Sequence, residues 1–169
     1  MIESRYLEDN IENIQKLMSI PGLKNFEAKS VGKLIKLSKV REYRDGEVII
    51  QEGEQDPWMY ILLSGKIRIF KENHEIAMIG KKGEIFGEMR IIDSKARSAS
   101  AAAVGKTVCL AVNTTAKNRL STVTTEEDRL DFLLLLYRVF AEYMSVRLRA
   151  ADDELVAAKK KIKHLISKI

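Results

Sequence analysis

The chain has 169 residues, 46% of them hydrophobic and 31% charged, with a net charge of +5 and one cysteine. That length suits one packed domain plus an appendage. No apolar run approaches the roughly 20 residues of a membrane-spanning helix, and one cysteine excludes an internal disulfide framework. The opening Met1-Ile2-Glu3-Ser4-Arg5-Tyr6 lacks the basic-then-apolar order of a secretory leader, so a cytoplasmic location is expected.

Residues 1–20 read as helical, because Leu7, Ile11, Ile14, Leu17 and Met18 recur at three and four. Pro21-Gly22 ends that stripe, and a second helix is expected over about Ala28 to Leu37. Together they define an N-terminal helical segment, residues 1–40. Short apolar runs follow, separated by turn residues at Asp45-Gly46, Gly53, Ser64-Gly65, Glu72-Asn73, Gly80 and Gly83. Lys66-Ile67-Arg68-Ile69-Phe70 alternates cleanly, and the interval 98–112 supplies the last strands. Such spacing predicts an α+β chain whose antiparallel strands, over 41–113, close into a jelly-roll-like barrel or β-roll. Cys109, inside Thr107-Val108-Cys109-Leu110-Ala111-Val112, reads as a small buried hydrophobe.

Within that interval, residues 86–99 carry chemistry. Gly87 allows close backbone approach to a ligand. The free N–H groups of the turn that follows point toward an anion. Glu88 can accept hydrogen bonds from a ribose hydroxyl. Arg97 offers a planar fork for phosphate oxygens, Ser98 a further donor, and Ala99 room. A purely structural alternative is that Glu88 and Arg97 pair with each other. Catalytic chemistry is not expected: His74 and His164 are isolated, and no nucleophile–base pair or Walker-type phosphate loop stands out.

From about Thr125 the pattern becomes helical to the end, within a C-terminal segment 114–169. Thr124-Thr125-Glu126-Glu127-Asp128 fits a helix start. The run Phe132-Leu133-Leu134-Leu135-Leu136 implies burial on more than one side. Leu134, Tyr137, Ala141, Met144, Leu148, Ala151, Leu155, Ala158, Ile162, Leu165 and Ile169 then hold an unbroken heptad register. In a parallel pair Arg147 would face Asp152, and Glu154 would face Lys159, at the spacing such coils use. A homodimer through residues 134–169 is therefore expected. The basic excess lies in this tail: no acid follows Glu154, whereas Lys159, Lys160, Lys161, Lys163 and Lys168 do. That run could touch nucleic acid or an anionic surface by charge alone, or be a solvated coil end.

The motifs Asp45-Gly46-Glu47-Val48-Ile49, Glu52-Gly53-Glu54, Tyr60-Ile61-Leu62-Leu63-Ser64-Gly65 and Gly83-Glu84-Ile85-Phe86-Gly87-Glu88 run in order into Arg97-Ser98-Ala99. This series closely resembles the cyclic-nucleotide-binding domains of the catabolite activator protein, the regulatory subunits of cAMP-dependent kinase and nucleotide-gated channels. The resemblance covers about residues 20–115. It implies a β-roll with a phosphate-binding cassette at 86–99 and no resident cofactor. Its ligand would be cAMP, with cGMP as the variant. Phe86, Gly87, Glu88, Met89, Arg97, Ser98 and Ala99 would line the ligand, with Arg97 and Ser98 on the cyclic phosphate and Glu88 on the ribose 2′-hydroxyl. Matching the long helices by Arg147-Leu148 brings Ala151 and Asp152 near the base, and an acceptor at Asp152 favours adenine. Two residues depart from the family pattern: Arg90, where a small residue is usual, and Ala96, where proline is frequent.

The sequence therefore predicts a dimeric, ligand-controlled receptor or adaptor acting on an unknown protein effector. Sequence-specific DNA binding is not expected, because the long helix does not continue into a helix-turn-helix module. The competing expectation is a nucleotide-free scaffold that works through its coiled coil.

Overall fold

The computed structural model describes residues 1–6, 11–20, 23, 27–89, 95–114 and 126–168. Strand β1 (Ile2–Tyr6) is followed by helices α1 (Ile11–Met18) and α2 (Ala28–Lys36). Strands β2 (Ser38–Tyr43), β3 (Val48–Ile50), β4 (Trp58–Lys71), β5 (His74–Ile79), β6 (Ile85–Phe86) and β7 (Ser100–Asn113) come next, and helix α3 (Glu126–Ile166) closes the order. Of the helix expected over residues 1–20, Ile11–Met18 are helical, and residues 7–10 lie outside the described residues. Ile2–Tyr6 instead pair antiparallel with β2. Glu3 secures them by accepting from Lys39 Nζ and Arg41 Nε, both at 2.5 Å.

The expected barrel or β-roll is corrected by the strand pairing. The antiparallel sheet runs β1-β2-β7-β4-β5, with β3 on β7 and β6 on β4, and it does not close. Among the described residues no pairing joins the edges β1 and β5. The physical reason lies in strand length. β4 and β7 have 14 residues each and pair along most of that length, whereas β3 has three and β6 two. Strands that short extend the long pair locally but cannot bridge its two ends.

Residues 59–62 of β4 and 109–112 of β7 are buried on both faces. Met59, Ile61, Leu110 and Val112 join Leu17, Val31, Leu34 and Ile35 of the helical layer and Val139 of α3. Tyr60, Leu62, Ile67, Cys109 and Ala111 join Ile50, Phe86, Ala101 and Ala103 on the other side. Each fully buried Leu or Ile side chain here contributes about 1.5–3 kcal/mol. Cys109 is fully buried, as its apolar context suggested, and burial pushes its thiol up to about 12.

Several turn residues have specific duties. Glu72 and Asn73 both take positive φ, 48° and 65°, in the tight β4–β5 hairpin. Gly65 (φ +95°) sits where the β4–β7 register shifts, and a Cβ there would lie 2.6 Å from the Lys106 carbonyl oxygen. Asp45 Oδ1 accepts from Gly105 N at 2.6 Å, so the Asp45-Gly46 turn is clasped to β7.

Helix α3 has two regimes. Val139 is buried and Tyr143 packs against the helical core. Leu134, Tyr137, Leu148, Leu155, Ile162 and Leu165 are 47–66% exposed. Of the apolar run 132–136 only the Leu134 side chain is among those described, and it is exposed; the other four lie outside them, as does the expected start at Thr124-Thr125.

Candidate nucleotide-binding site

Arg97 is built into a corner made by three elements. Its backbone N–H donates to the Glu54 carbonyl at 2.9 Å, and its carbonyl accepts from Gly53 N at 2.9 Å. The Glu52-Gly53-Glu54 motif therefore holds the segment that carries Arg97. Its side chain is 4% exposed. Nε donates to Asp56 Oδ2 at 2.8 Å and Nη2 to Asp56 Oδ1 at 2.7 Å, a bidentate pair. Nη1 donates to the Gly87 carbonyl at 2.6 Å, and Nη2 also donates to the Trp58 carbonyl. Glu88 is absent from these bonds, so the Glu88–Arg97 pairing left open by the sequence is not the arrangement found.

Gly87 follows β6 with φ +73°. A Cβ there would lie 2.8 Å from Ile50 Cδ1 and 2.9 Å from Arg97 Nη1. The glycine thus answers both a backbone requirement and a close approach. Phe86, just before it, is buried and stacks on Tyr60 with centroids 5.1 Å apart.

Glu88 is a buried carboxylate, 5% exposed. Burial raises its pKa, while its own backbone N–H and the charges of Arg147 and Arg97 pull it back down. Arg147 of α3 approaches it, Nη1 to Oε1 at 3.8 Å, with its own side chain 48% exposed. Val139, Tyr143 and Arg147 lie at i, i+4 and i+8, a stripe of α3 that faces its own domain.

These groups surround a cavity of about 220 Å³. Phe86, Gly87, Glu88, Met89, Arg97, Ser98 and Ala99 all line it, together with Ile76 and Ala77 of β5 and Arg147. Ser98 Oγ donates to Met89 Sδ at 3.6 Å. A second cavity of about 440 Å³ shares Glu88, Met89 and Arg147 and adds Phe140, Met144, Leu148 and Ala151. Asp152 lines neither cavity and is exposed. Of the two departures, Ala96 lines the first cavity, and Arg90 lies outside the described residues. The corner is concave, holds an arginine fork beside a carboxylate, and has apolar walls, a combination suited to a small phosphorylated ligand.

Two residues of this corner were missed by sequence reasoning. Asp56 pairs with Arg97 across 41 positions, a separation that no local spacing reveals. Arg147 was read as a coiled-coil flank; the signal available was the 139-143-147 stripe, distinct from the heptad.

A family model of the cyclic nucleotide-binding domain matches residues 40–125, and the chain belongs to that family. The domain is a regulatory, non-catalytic module whose ligand is a cyclic nucleotide. Among similar proteins is a cyclic AMP receptor protein of Thermus thermophilus, 34% identical over 126 residues, which cover 68% of this chain and 51% of that protein. The cGMP-dependent protein kinase 2 of Homo sapiens is 35% identical over 103 residues, covering 57% of this chain and 14% of the kinase. A crystal structure of a cyclic nucleotide-binding protein from Geobacter metallireducens shares the fold, with a TM-score of 0.67 and 19% identity over 79% of this chain and 96% of that one. The chain spans about half the length of the Thermus relative and a small part of the kinase. No helix-turn-helix module is identified among the described residues, nor any helix there long and apolar enough to cross a membrane.

Proposed function

We propose that the protein is a cyclic-nucleotide-controlled dimeric regulator, in which the cavity at Arg97 receives the ligand and α3 carries the signal. The observation that supports this most is that Gly87, Glu88, Arg97, Ser98 and Ala99 all line one cavity. A 3′,5′-cyclic phosphate is a diester carrying about one negative charge. Arg97, held by Asp56, keeps its guanidinium against the cavity, beside the Ser98 hydroxyl. Glu88 offers carboxylate oxygens to a ribose hydroxyl. The adenine preference drawn from Asp152 lacks support from its position, so the base is left open between adenine and guanine at this level.

Dimerisation through residues 134–169 is the second part of this reading. It is supported by the exposed heptad stripe from Leu134 to Leu165, which one chain leaves in water. Arg147, assigned by the heptad to Asp152 of a second copy, has Glu88 of its own chain close by. The ligand cavity and α3 therefore share a residue pair, through which nucleotide occupancy can bias the helix and hence a protein effector in the cytoplasm. Such coupling requires that nucleotide bind one helix arrangement better than the other.

Isothermal titration of the intact chain with cAMP and with cGMP tests the reading. Micromolar binding that Arg97→Ala weakens roughly 10- to 150-fold is the expected result. Heat from neither nucleotide, in folded protein free of carried-over ligand, would turn the assignment to a scaffold working through its coil.

A further inference from the structure

Arg41 of β2 lies outside the cavity walls, yet its side chain is only 11% exposed. A charged residue so deeply placed needs partners, and Arg41 has three. Nε donates to Glu3 Oε2 of β1 at 2.5 Å, and Nη1 donates to the Tyr60 hydroxyl at 2.9 Å. The guanidinium carbon lies 4.1 Å from the centre of the Trp58 ring. Trp58 and Tyr60 stand two apart on β4 and so face the same side of the sheet. Neither of them lines a cavity.

Both aromatic residues lead on to Arg97. The Trp58 carbonyl accepts from Arg97 Nη2. Tyr60 pairs with Phe86 across the sheet and stacks on its ring. Phe86 precedes Gly87, whose carbonyl accepts from Arg97 Nη1 at 2.6 Å. Bonds to described residues occupy the Nε–H of Arg97, both N–H groups of Nη2 and one of the two on Nη1. A second Nη1–H is left to meet a phosphate oxygen, and the Gly87 and Trp58 carbonyls set its direction.

We propose that Arg41 is a positioning residue for nucleotide binding: through Trp58 and Tyr60 it fixes the two carbonyls that aim Arg97 at the cyclic phosphate, without touching the ligand. This rests on the nucleotide-binding reading above and adds a residue, remote from the cavity, that sets its affinity. A planar guanidinium can lie on one ring while donating to the hydroxyl of another, which the compact ammonium of lysine cannot reproduce. Arg41→Lys therefore keeps a cation beside Glu3 but loses the stack. A cation–π contact of this kind corresponds to roughly 2- to 30-fold in an equilibrium constant.

The test is a double-mutant cycle on the intact chain: native, Arg41→Lys, Arg97→Ala and the two together, each titrated with cAMP and with cGMP. Gly65→Ala serves as a control of lowered stability away from the corner. Arg41→Lys should weaken nucleotide binding roughly 2- to 30-fold in protein that still unfolds cooperatively. In the Arg97→Ala background the same substitution should cost nothing further, because the residue it acts through is gone. If Arg41→Lys does not fold, Arg41→Met takes its place in the cycle; its apolar stem fills similar space and leaves Glu3 to Lys39. Three results would overturn the inference: unchanged affinity in the Arg41 variant, an equal loss with and without Arg97, or a loss as large in Gly65→Ala. Failure of the functional reading itself looks different, since the native chain would then bind neither nucleotide.

Discussion

The cassette corner and the distal half of α3 are built by opposite rules. In the corner the polar groups find partners inside the chain: Arg97 is fixed by Asp56, Gly87 and Trp58, and Glu88 is approached by Arg147. In distal α3 the apolar groups do not, since Leu155, Ile162 and Leu165 are each more than half exposed. Preorganised polar groups leave little to rearrange when a small ligand arrives. An exposed apolar stripe about 47 Å long, from Leu134 to Leu165, needs a surface of its own length. If, as proposed, a small molecule completes the first and a macromolecule the second, the two should be separable by mutation.

The largest expected effect lies at the output end. Leu155→Asp combined with Ile162→Asp places carboxylates in the proposed helix seam. Deleting a buried Leu or Ile side chain alone costs about 2–5 kcal/mol, and an unpaired buried charge adds to that. Sedimentation should show a dimer becoming a monomer, with the heat of nucleotide binding retained. If the native chain is itself monomeric at micromolar concentration, the contrast between the two ends has been misread.

Arg97→Ala makes the converse break. Losing charge-assisted hydrogen bonds to phosphate should weaken nucleotide binding by about 1.5–3 kcal/mol, roughly 10- to 150-fold by titration. The sedimentation of the nucleotide-free protein should stay unchanged. A change in assembly would mean that the corner and α3 are not independent even without ligand.

The two regions also differed in how far the sequence revealed them. That Gly87, Glu88, Arg97, Ser98 and Ala99 gather at one cavity was legible because they stand close together along the chain. Asp56 was not, because β4 and β7 bring it to Arg97 from far along the chain. Sheet closure was misjudged for a related reason. Alternation and turn residues report that strands exist, but not that β3 and β6 are too short to bridge β1 and β5. Ile2–Tyr6 misled the periodicity because their pairing depends on Glu3 meeting Lys39 and Arg41, partners outside any local window. Arg147 was hidden by a heptad that already gave it a partner, Asp152 of a second copy.

Gly65→Ala sharpens the comparison by disturbing neither region directly. The added Cβ meets the Lys106 carbonyl oxygen and Thr107 Oγ1 at 2.6 Å each and Thr107 Cα at 2.7 Å, at φ +95°. Backbone must shift, and strain of about 1–3 kcal/mol is expected. Thermal unfolding should move down while the affinity of the folded protein for nucleotide stays the same. Asp56→Asn acts more finely. It removes the charge that orients Arg97 but keeps one acceptor, and should weaken nucleotide binding by about 1 kcal/mol. A gain in affinity would show that Asp56 restrains Arg97 rather than orienting it.

The smallest effect concerns proton uptake at the corner. Burial lifts the pKa of Glu88 above its ordinary 4.5, so the folded chain holds this proton more tightly than the unfolded one does. Its contribution to stability is fully present below pH 4.5 and is lost as pH rises through the folded value. Glu3 runs the other way: the hydrogen bond from Lys39 outweighs desolvation and lowers its pKa, so its contribution is present above pH 4.5 and lost as pH falls through the lowered value. The two windows lie on opposite sides of 4.5 and can be separated. In nucleotide-free protein, Glu88→Gln should flatten the melting temperature above pH 4.5 and leave the acid limb unchanged, whereas Glu3→Gln should do the reverse. The Glu88 effect is modest because its backbone N–H and Arg147 already offset part of the burial. If Glu88→Gln instead lowers stability throughout the neutral range, the Arg147 contact is worth more than the burial it opposes. The corner would then be held to α3 by that pair even without ligand.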